Sequence, residues 1–238
     1  MRTTAIIPAA GFGTRLGSTV PKQFIELAGI PIIVRTLRVF EQCGDIDTVV
    51  VAAAPEFHTY ILDLKTRYSL QKLTALVQGG SERQHSVANA LHSPACSDAE
   101  IVVIHDAVRP FITPSLVHRI VQAAIVHGAA IPGVIPKDTI KECTYLPDLP
   151  SIAYVHTTYE RSHLRVIQTP QAFRRDLLTR AFAHAHSHGI IGTDDASLVE
   201  ASGVSVVVIP GEEENIKITT ALDIRWAEYI ITSTSSHA

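Results

Sequence analysis

The sequence predicts an α/β fold built on a mostly parallel sheet, in a single domain spanning residues 1–238. Two observations support this prediction. Short runs rich in β-branched residues alternate with longer amphipathic stretches, which is typical of strands joined by crossover helices. The chain has 238 residues, of which 46% are hydrophobic and 18% charged. It can therefore bury a large core, and most of it is not expected to be disordered.

The elements follow in order along the chain. The β-branched runs predict strands at residues 4–8, 48–53, 75–77, 101–105, 130–135 and 204–209. The amphipathic stretches between them predict helices at residues 32–42, 56–68, 84–92, 114–127 and 175–188. Pro31 and Pro114 lie where the first turn of a helix tolerates proline. Ligands of such sheets bind beyond the carboxyl ends of the strands, so the loops after the strands are the places to look for a site.

Residues 137–160 interrupt the alternation. Residues 137–142 and 152–158 are short and β-like, and residues 145–150 join them, which predicts a hairpin projecting from the domain. A lone hairpin is marginally stable in water. It needs a surface to pack on, most simply the same arm of a second subunit. The sequence therefore predicts a homodimer that forms through a β-hairpin dimerisation arm.

The first strand opens into a glycine loop, GFGTRLG at residues 11–17, and Lys22 follows seven residues after Arg15. Glycines let backbone N–H groups approach phosphate oxygens, and Arg15 and Lys22 add positive charge. The loop is not a P-loop, which requires GxxxxGK[ST]. It also lacks the GxGxxG spacing of dinucleotide sites, and the second strand ends in residues 52–55, AAAP, without a carboxylate. The pattern favours nucleoside triphosphate binding over a simple tight turn.

The strand predicted at residues 101–105 leads into Asp106 and Arg109. Asp106 could help to hold a divalent cation that bridges phosphates, cap the turn, or pair with Arg109. Arg109 could bind an anionic group or form that ion pair. His105 is expected to be a buried structural histidine.

Two further features also have a structural and a functional interpretation. Ser81 lies in a loop at residues 79–86 that opens a helix, so it could cap that helix or contact a base or sugar. Lys217 follows three glutamates, residues 212–214, and is either a solvated surface charge or part of a site.

Six segments then occur in one order across nearly the whole chain: AAGFGTRLGSTVPKQF, HDAVRPF, DTIK, QTPQAF, TDDAS and ENIKIT. With them the sequence resembles the 2-C-methyl-D-erythritol 4-phosphate cytidylyltransferase family of the non-mevalonate isoprenoid pathway. The resemblance implies a Rossmann-like fold of the nucleotide-diphospho-sugar transferase (glycosyltransferase type A) kind. It also implies a homodimer with shared active sites, and Mg²⁺ as cofactor. The implied reaction converts CTP and 2-C-methyl-D-erythritol 4-phosphate into 4-CDP-2-C-methyl-D-erythritol and pyrophosphate.

The resemblance also assigns site residues, position by position. Arg15 and Lys22 match the pair that stabilises the transition state at the α-phosphorus, and Arg161 and Lys217 complete the catalytic set. The residues that match the CTP site are Pro8, Ala9, Ala10, Gly11, Phe12, Gly13, Lys22, Gly80, Ser81, Arg83, Ser86 and Ala107. Those that match the acceptor site are Asp106, Arg109, Thr139, Arg161, Thr169, Thr193 and Lys217.

Some of these assignments carry a qualification within the family pattern. Family dimers take Thr139 and Arg161 from the partner chain. Asp106 matches an aspartate near the metal, which is otherwise held by the CTP phosphates. The family commonly has Thr-x-Asp-Arg before its arginine, whereas this chain has Tyr159 and Glu160 before Arg161.

Two rival functions share part of the pattern. A D-ribitol 5-phosphate cytidylyltransferase has the same glycine loop and the HDAVRPF and QTPQ segments. A non-catalytic nucleotide-binding dimer module would need the loop amides, but it would not need two cations directed at the α-phosphate. Arg15 and Lys22 therefore favour catalysis.

Composition limits the partners and the compartment. The net charge is −3, which gives no global basic field for nucleic acid. No apolar run reaches the length of a membrane span. The three cysteines are widely spaced and odd in number, which is typical of a reducing compartment. We therefore expect a cytoplasmic protein with no nucleic-acid or membrane partner.

Overall fold

The computed structural model of the chain describes residues 1–11, 20–146 and 149–235. Its strands are β1 (Thr3–Pro8), β2 (Glu26–Leu27), β3 (Ile30–Pro31), β4 (Thr48–Ala53), β5 (Leu73–Gln78), β6 (Ile101–Ile104), β7 (Ala129–Val134), β8 (Lys141–Leu146), β9 (Leu149–Thr158), β10 (Val166–Ile167), β11 (Gln171–Arg174) and β12 (Val207–Pro210). Its helices are α1 (Ile32–Gln42), α2 (His58–Arg67), α3 (Arg83–Leu91), α4 (Pro114–His127), α5 (Arg175–His188), α6 (Asp195–Ala201) and α7 (Ala221–Ser235).

The central sheet has eight strands in the order β10-β7-β11-β6-β1-β4-β5, with β12 also paired to β7. Strands β5, β4, β1 and β6 run parallel to one another, and β12 runs parallel to β7. Strands β10 and β11 run antiparallel to their neighbours. The sheet is thus mostly parallel, as predicted.

Both faces of the sheet are covered, because neighbouring residues of one strand belong to different cores. Ile7 packs in a cluster with α1 and α4, whereas Ile6 packs in a second cluster with α3 and α5. Every residue of β4 and β6 is buried. Continuous burial explains why these strands are uninterrupted apolar runs in the sequence.

Sequence reasoning missed two elements beside the site, β11 and α6. Strand β11 is only four residues long and begins with Gln171, so local composition does not identify it. It forms because it fits antiparallel between β6 and β7. Several other bounds differ from the predictions: for example, a 3-10 turn at Pro55–Phe57 precedes α2, β5 begins at Leu73, and β12 begins at Val207.

Strands β8 and β9 form a separate two-stranded sheet. The predicted first strand at residues 137–142 is wrong, because β8 runs from Lys141 to Leu146. The predicted second strand at 152–158 is too short, because β9 begins at Leu149. Pro150 suggested a break in the sequence, but a strand with a free edge tolerates proline. Whether this hairpin joins two subunits stays a prediction.

Among the described helices, none combines the length and the apolar character that a membrane crossing requires.

Candidate active site

The loops after β1, β4, β5 and β6 meet at the carboxyl edge of the sheet and line a cavity of about 450 Å³. Its lining includes most of the residues predicted to bind CTP: Pro8, Ala9, Ala10, Gly11, Lys22, Gly80, Ser81, Arg83, Ser86 and Ala107. Phe12, Gly13 and Arg15 were also predicted here, and they lie outside the described residues. Of the catalytic pair, the structure therefore places Lys22, at the start of a 3-10 turn over Lys22–Phe24.

The floor of this first cavity depends on close contact between two loops. A Cβ atom on Gly79 would lie 2.2 Å from the Cβ of Ala10, so a side chain there would separate the loops. The N–H of Gly80 donates to Ser86 Oγ at 3.0 Å. Gln23 Nε2 donates to the carbonyl oxygen of Ala9 at 2.6 Å. The glycines and these hydrogen bonds bring backbone from β1 and β5 to one side of the cavity.

Ser81 does not cap α3. The residue at the N-cap position is Glu82, which makes no capping hydrogen bond through its side chain. Ser81 Oγ instead lies 3.0 Å from His85 Nδ1 and lines the cavity. Of the two interpretations of Ser81, the capping interpretation is wrong.

A second cavity of about 410 Å³ adjoins the first. Its lining includes five of the seven residues predicted to bind the acceptor: Asp106, Arg109, Thr169, Thr193 and Lys217. Arg83, Asp106 and Lys217 line both cavities. We call these three residues the shared wall.

Asp106 is the centre of the shared wall and contacts three cations. Lys217 Nζ lies 2.8 Å from Asp106 Oδ2, and Arg83 Nε lies 3.1 Å from Oδ1. Arg109 Nε lies 3.6 Å from Oδ2. Burial alone would raise the pKa of Asp106, but Arg83 and Lys217 outweigh it and hold this pKa well below its usual value. Asp106 is therefore an ionised carboxylate that keeps three cations together.

This arrangement decides between the alternatives for Asp106 and Lys217. Asp106 pairs with Arg109, and Lys217 is not a solvated surface charge because it pairs with a buried carboxylate. Both oxygens of Asp106 face cations, which does not suit a ligand of Mg²⁺. Among the described residues, no group of three or more His, Cys, Asp or Glu side chains could hold a metal ion. The described residues thus do not fit a protein-built magnesium site.

His105 is a structural residue, in agreement with the sequence analysis. It is completely buried, and its Nε2 donates to the carbonyl oxygen of Arg109 at 3.0 Å. The hydroxyl of Thr169 donates to His105 Nδ1 at 3.0 Å and accepts from the Asp106 N–H at 3.1 Å. Burial lowers the pKa of His105 to about 4. Thr169 is therefore buried support for the shared wall, although it also reaches the second cavity.

Sequence reasoning missed two polar residues that hold Arg109 and Arg83. Arg109 Nη1 donates to the carbonyl oxygen of the fully buried Asn215, at 2.7 Å. Arg83 Nη1 lies 2.7 Å from Oδ2 of Asp195. Asn215 and Asp195 belong to the ENIKIT and TDDAS segments, so motif order was the only signal that could have indicated them.

Thr139 and Arg161 are not among the described residues that line either cavity. Both are exposed beside the hairpin. Arg161 donates a hydrogen bond to the carbonyl oxygen of Lys137. Tyr159 Oη donates to Glu142 at 2.6 Å, and Glu160 caps the turn that begins with Arg161. Tyr159 thus links the end of β9 to β8, and Glu160 holds the turn that contains Arg161.

A mostly parallel α/β sheet with a glycine-rich cavity at its carboxyl edge, and a cationic wall to a second cavity, defines a nucleotidyltransferase. Comparison with known proteins gives the family. The model of the family described as 2-C-methyl-D-erythritol 4-phosphate cytidylyltransferase matches residues 3–233, and the chain belongs to this family.

Named relatives agree with this assignment. The chain is 46% identical over 233 residues to 2-C-methyl-D-erythritol 4-phosphate cytidylyltransferase of Geobacillus kaustophilus, covering 98% of each chain. It is 41% identical to the protein of that name from Acidobacterium capsulatum, covering 99% of this chain and 100% of the other.

Solved structures also match over nearly the full length. A 4-diphosphocytidyl-2C-methyl-D-erythritol synthase from Anaerococcus prevotii superposes with a TM-score of 0.81 at 30% identity, covering 97% of this chain and 96% of that one. The 2-C-methyl-D-erythritol 4-phosphate cytidylyltransferase from Thermus thermophilus has a TM-score of 0.76 at 32% identity, covering 97% and 98%. These matches confirm the predicted fold class.

Proposed function

We propose that this enzyme transfers the cytidylyl group of CTP to the phosphate of 2-C-methyl-D-erythritol 4-phosphate, for isoprenoid precursor biosynthesis. The products are 4-CDP-2-C-methyl-D-erythritol and pyrophosphate. The shared wall carries the proposal, because one set of cations faces both a glycine-lined cavity and an adjoining polar cavity. The family match supports the choice of CTP and this acceptor and does not favour D-ribitol 5-phosphate.

In the proposed mechanism, an oxygen of the acceptor phosphate attacks the α-phosphorus of CTP in line. The bond from the α-phosphorus to the bridging oxygen breaks, and pyrophosphate leaves with the electron pair. Both reactants are anions, so repulsion between them is the main obstacle. Lys22 in the first cavity, Lys217 in the shared wall and Arg109 in the second cavity oppose that repulsion with fixed positive charge.

The mechanism needs no general base from the protein. The second pKa of a phosphate monoester is about 6, so the acceptor is already deprotonated near neutral pH. His105, which precedes Asp106 in the chain, is neutral, and the single N–H of its ring donates to the backbone carbonyl oxygen of Arg109.

Magnesium is proposed to enter with the substrate, as the Mg²⁺ complex of CTP. The support is the charge of the triphosphate, whose oxygens are the ligands that Mg²⁺ prefers. Asp106 is not assigned as a ligand, because Arg83, Arg109 and Lys217 surround its carboxylate.

We propose that the protein is a homodimer, because the hairpin exposes many apolar side chains. Tyr145, Leu149, Ile152, Tyr154 and Val155 are each at least half exposed, with values between 51% and 69%. A two-stranded ribbon with so much apolar surface is unstable alone. A second copy of the arm would cover it and could bring Arg161 and Thr139 of one chain to the acceptor cavity of the other.

We propose a cytoplasmic location, because the cysteines form no disulfide bonds. Cys43, Cys96 and Cys143 are all free, which supports a reducing compartment.

The test of the function is pyrophosphate release from CTP and Mg²⁺ with two acceptors in parallel. We expect turnover with 2-C-methyl-D-erythritol 4-phosphate and little with D-ribitol 5-phosphate. A preference for the ribitol acceptor would refute the proposed acceptor. Absence of turnover with either acceptor would refute the proposed reaction.

The test of the shared site is complementation between two inactive chains. Lys22→Ala and Arg161→Ala proteins are mixed, exchanged into heterodimers and assayed. If Arg161 acts across the dimer, each heterodimer contains one site free of both substitutions and activity returns. Heterodimers that form and stay inactive would mean that each site is built within one chain.

A further inference from the structure

Asp195 is a buried carboxylate that none of the site assignments includes. It is the first residue of α6 and is 1% exposed. Its Oδ2 contacts Arg83 Nη1 at 2.7 Å. Neither of its carboxylate oxygens has a hydrogen-bond partner among the described residues, so the contact with Arg83 is an ion pair. A buried charge with so few partners destabilises a fold, which indicates that its contact with Arg83 serves the site.

Arg83 is held from two sides by this contact. Its Nε faces Asp106 Oδ1 at 3.1 Å, while its Nη1 faces Asp195 Oδ2. The guanidinium group is planar and rigid, so contacts through two different nitrogen atoms fix both its position and its plane. With Asp106 alone, the group could rotate about that single contact or turn both donors onto Asp106.

The orientation of Arg83 matters to both cavities. Arg83 lines each of them and shares Asp106 with Lys217. If Arg83 took both oxygens of Asp106, it would compete with Lys217 for Oδ2. The contact from Asp195 therefore keeps Oδ2 of Asp106 available to Lys217.

We propose that Asp195 is a positioning residue, which acts through Arg83 to fix the shared wall between the CTP cavity and the acceptor cavity. This inference rests on the proposed function, since it concerns the same reaction. It adds a residue whose contribution passes entirely through Arg83. The two residues must then be coupled in their effects on catalysis.

The test is a double-mutant cycle on kcat/KM for both substrates, with Asp195→Asn, Arg83→Gln and the double variant. We expect Asp195→Asn to lower kcat/KM by about tenfold or more, since small displacements of site groups have effects of that size. In the Arg83→Gln background the same change should cost less than about twofold, because the group that Asp195 positions is gone. Independent, multiplying effects would overturn the proposal.

A second variant and a control keep the test decisive if Asp195→Asn folds poorly. Arg83→Lys keeps the charge but loses the rigid fork, and it should reproduce the Asp195→Asn defect. Wild-type kcat/KM in Arg83→Lys would overturn the proposal. The control is Asp223→Asn, which removes a carboxylate that accepts from Thr219 and Thr220 at the start of α7 and lines neither cavity. It should lower the thermal midpoint and leave kcat/KM unchanged.

The outcomes also separate this inference from the proposed function. If wild-type protein shows no pyrophosphate release, the proposed function fails. If wild-type protein is active and the cycle shows no coupling, the proposed function stands and the role of Asp195 fails.

Discussion

His105 should make the stability of the fold depend on pH in a range where most buried groups do not titrate. Its ordinary pKa is 6.5, and burial lowers it to about 4 in the folded chain. The unfolded chain therefore binds a proton that the folded chain rejects, and stability contributed by neutral His105 is lost as pH falls from 6.5 towards 4. Of its charged neighbours, Asp106 opposes this shift, whereas Arg109 and Arg83 add to it.

The size of the effect follows from these two pKa values. Linkage gives a loss of about 2 kcal/mol at pH 5 and about 3 kcal/mol at pH 4, relative to neutral pH. Solvent screening does not reduce this loss of stability, because His105 is completely buried. Protonation of Nδ1 would also remove the acceptor of the Thr169 hydroxyl, which would then have to turn its O–H away from the ring.

The assay is urea unfolding of the wild type and of His105→Gln at pH 7, 6 and 5. His105→Gln lowers stability at pH 7 but cannot titrate, so the difference between the two proteins should shrink by about 2 kcal/mol at pH 5. His156→Gln, at an exposed position on the hairpin, controls for histidines in general and should follow the wild-type curve. A constant difference between wild type and His105→Gln would refute the buried neutral histidine.

Three further predictions concern the site. Lys22→Ala should lower kcat by about a hundredfold or more with the thermal midpoint unchanged, since the proposed mechanism uses its fixed charge to stabilise the transferring phosphoryl group; near-normal turnover would contradict this role. Asp106→Asn should destabilise the fold by about 3 kcal/mol in urea unfolding, because Arg83, Arg109 and Lys217 lose their shared carboxylate; unchanged stability would show that solvent already screens them. Thr169→Val should cost about 1–3 kcal/mol by leaving buried partners unsatisfied, whereas Thr169→Ser should restore most of it, and equal losses would mean that the methyl group matters instead.

The part of the fold that the sequence predicted is the part that local composition determines. Strands β4 and β6 are apolar runs because both faces of the sheet are covered, and that pattern is visible without the structure. Strand β11 has no such pattern, since its pairing with β6 and β7 creates it. The predicted arm at residues 137–160 contains both hairpin strands, but their limits differ from the prediction; β9 begins earlier because a strand with a free edge tolerates Pro150.

The sequence likewise predicted one part of the site and not the other. The loop residues after β1 and β5 could be predicted from the sequence, because glycines after a strand let backbone N–H groups approach phosphate oxygens. The cluster around Asp106 does not, because Lys217 and Asp195 come from distant parts of the chain and only folding joins them. Spacing alone left three alternatives for Asp106, and none of them included the contacts with Arg83 and Lys217.

The hairpin leaves and rejoins the sheet at one place. Strand β7 ends at Val134, and β10 returns beside it with Val166 opposite Val134 and Ile167 opposite Gly133. The segment from residue 135 to residue 165 therefore starts and ends at neighbouring positions of the sheet. No strand of the main sheet must move when this segment changes length. Evolution can therefore lengthen, shorten or redecorate the arm without altering the nucleotide cavity. Thr139 and Arg161 lie within this segment, so in the proposed dimer they alone would tie the arm to the chemistry, and the rest of the arm could change with the partner surface.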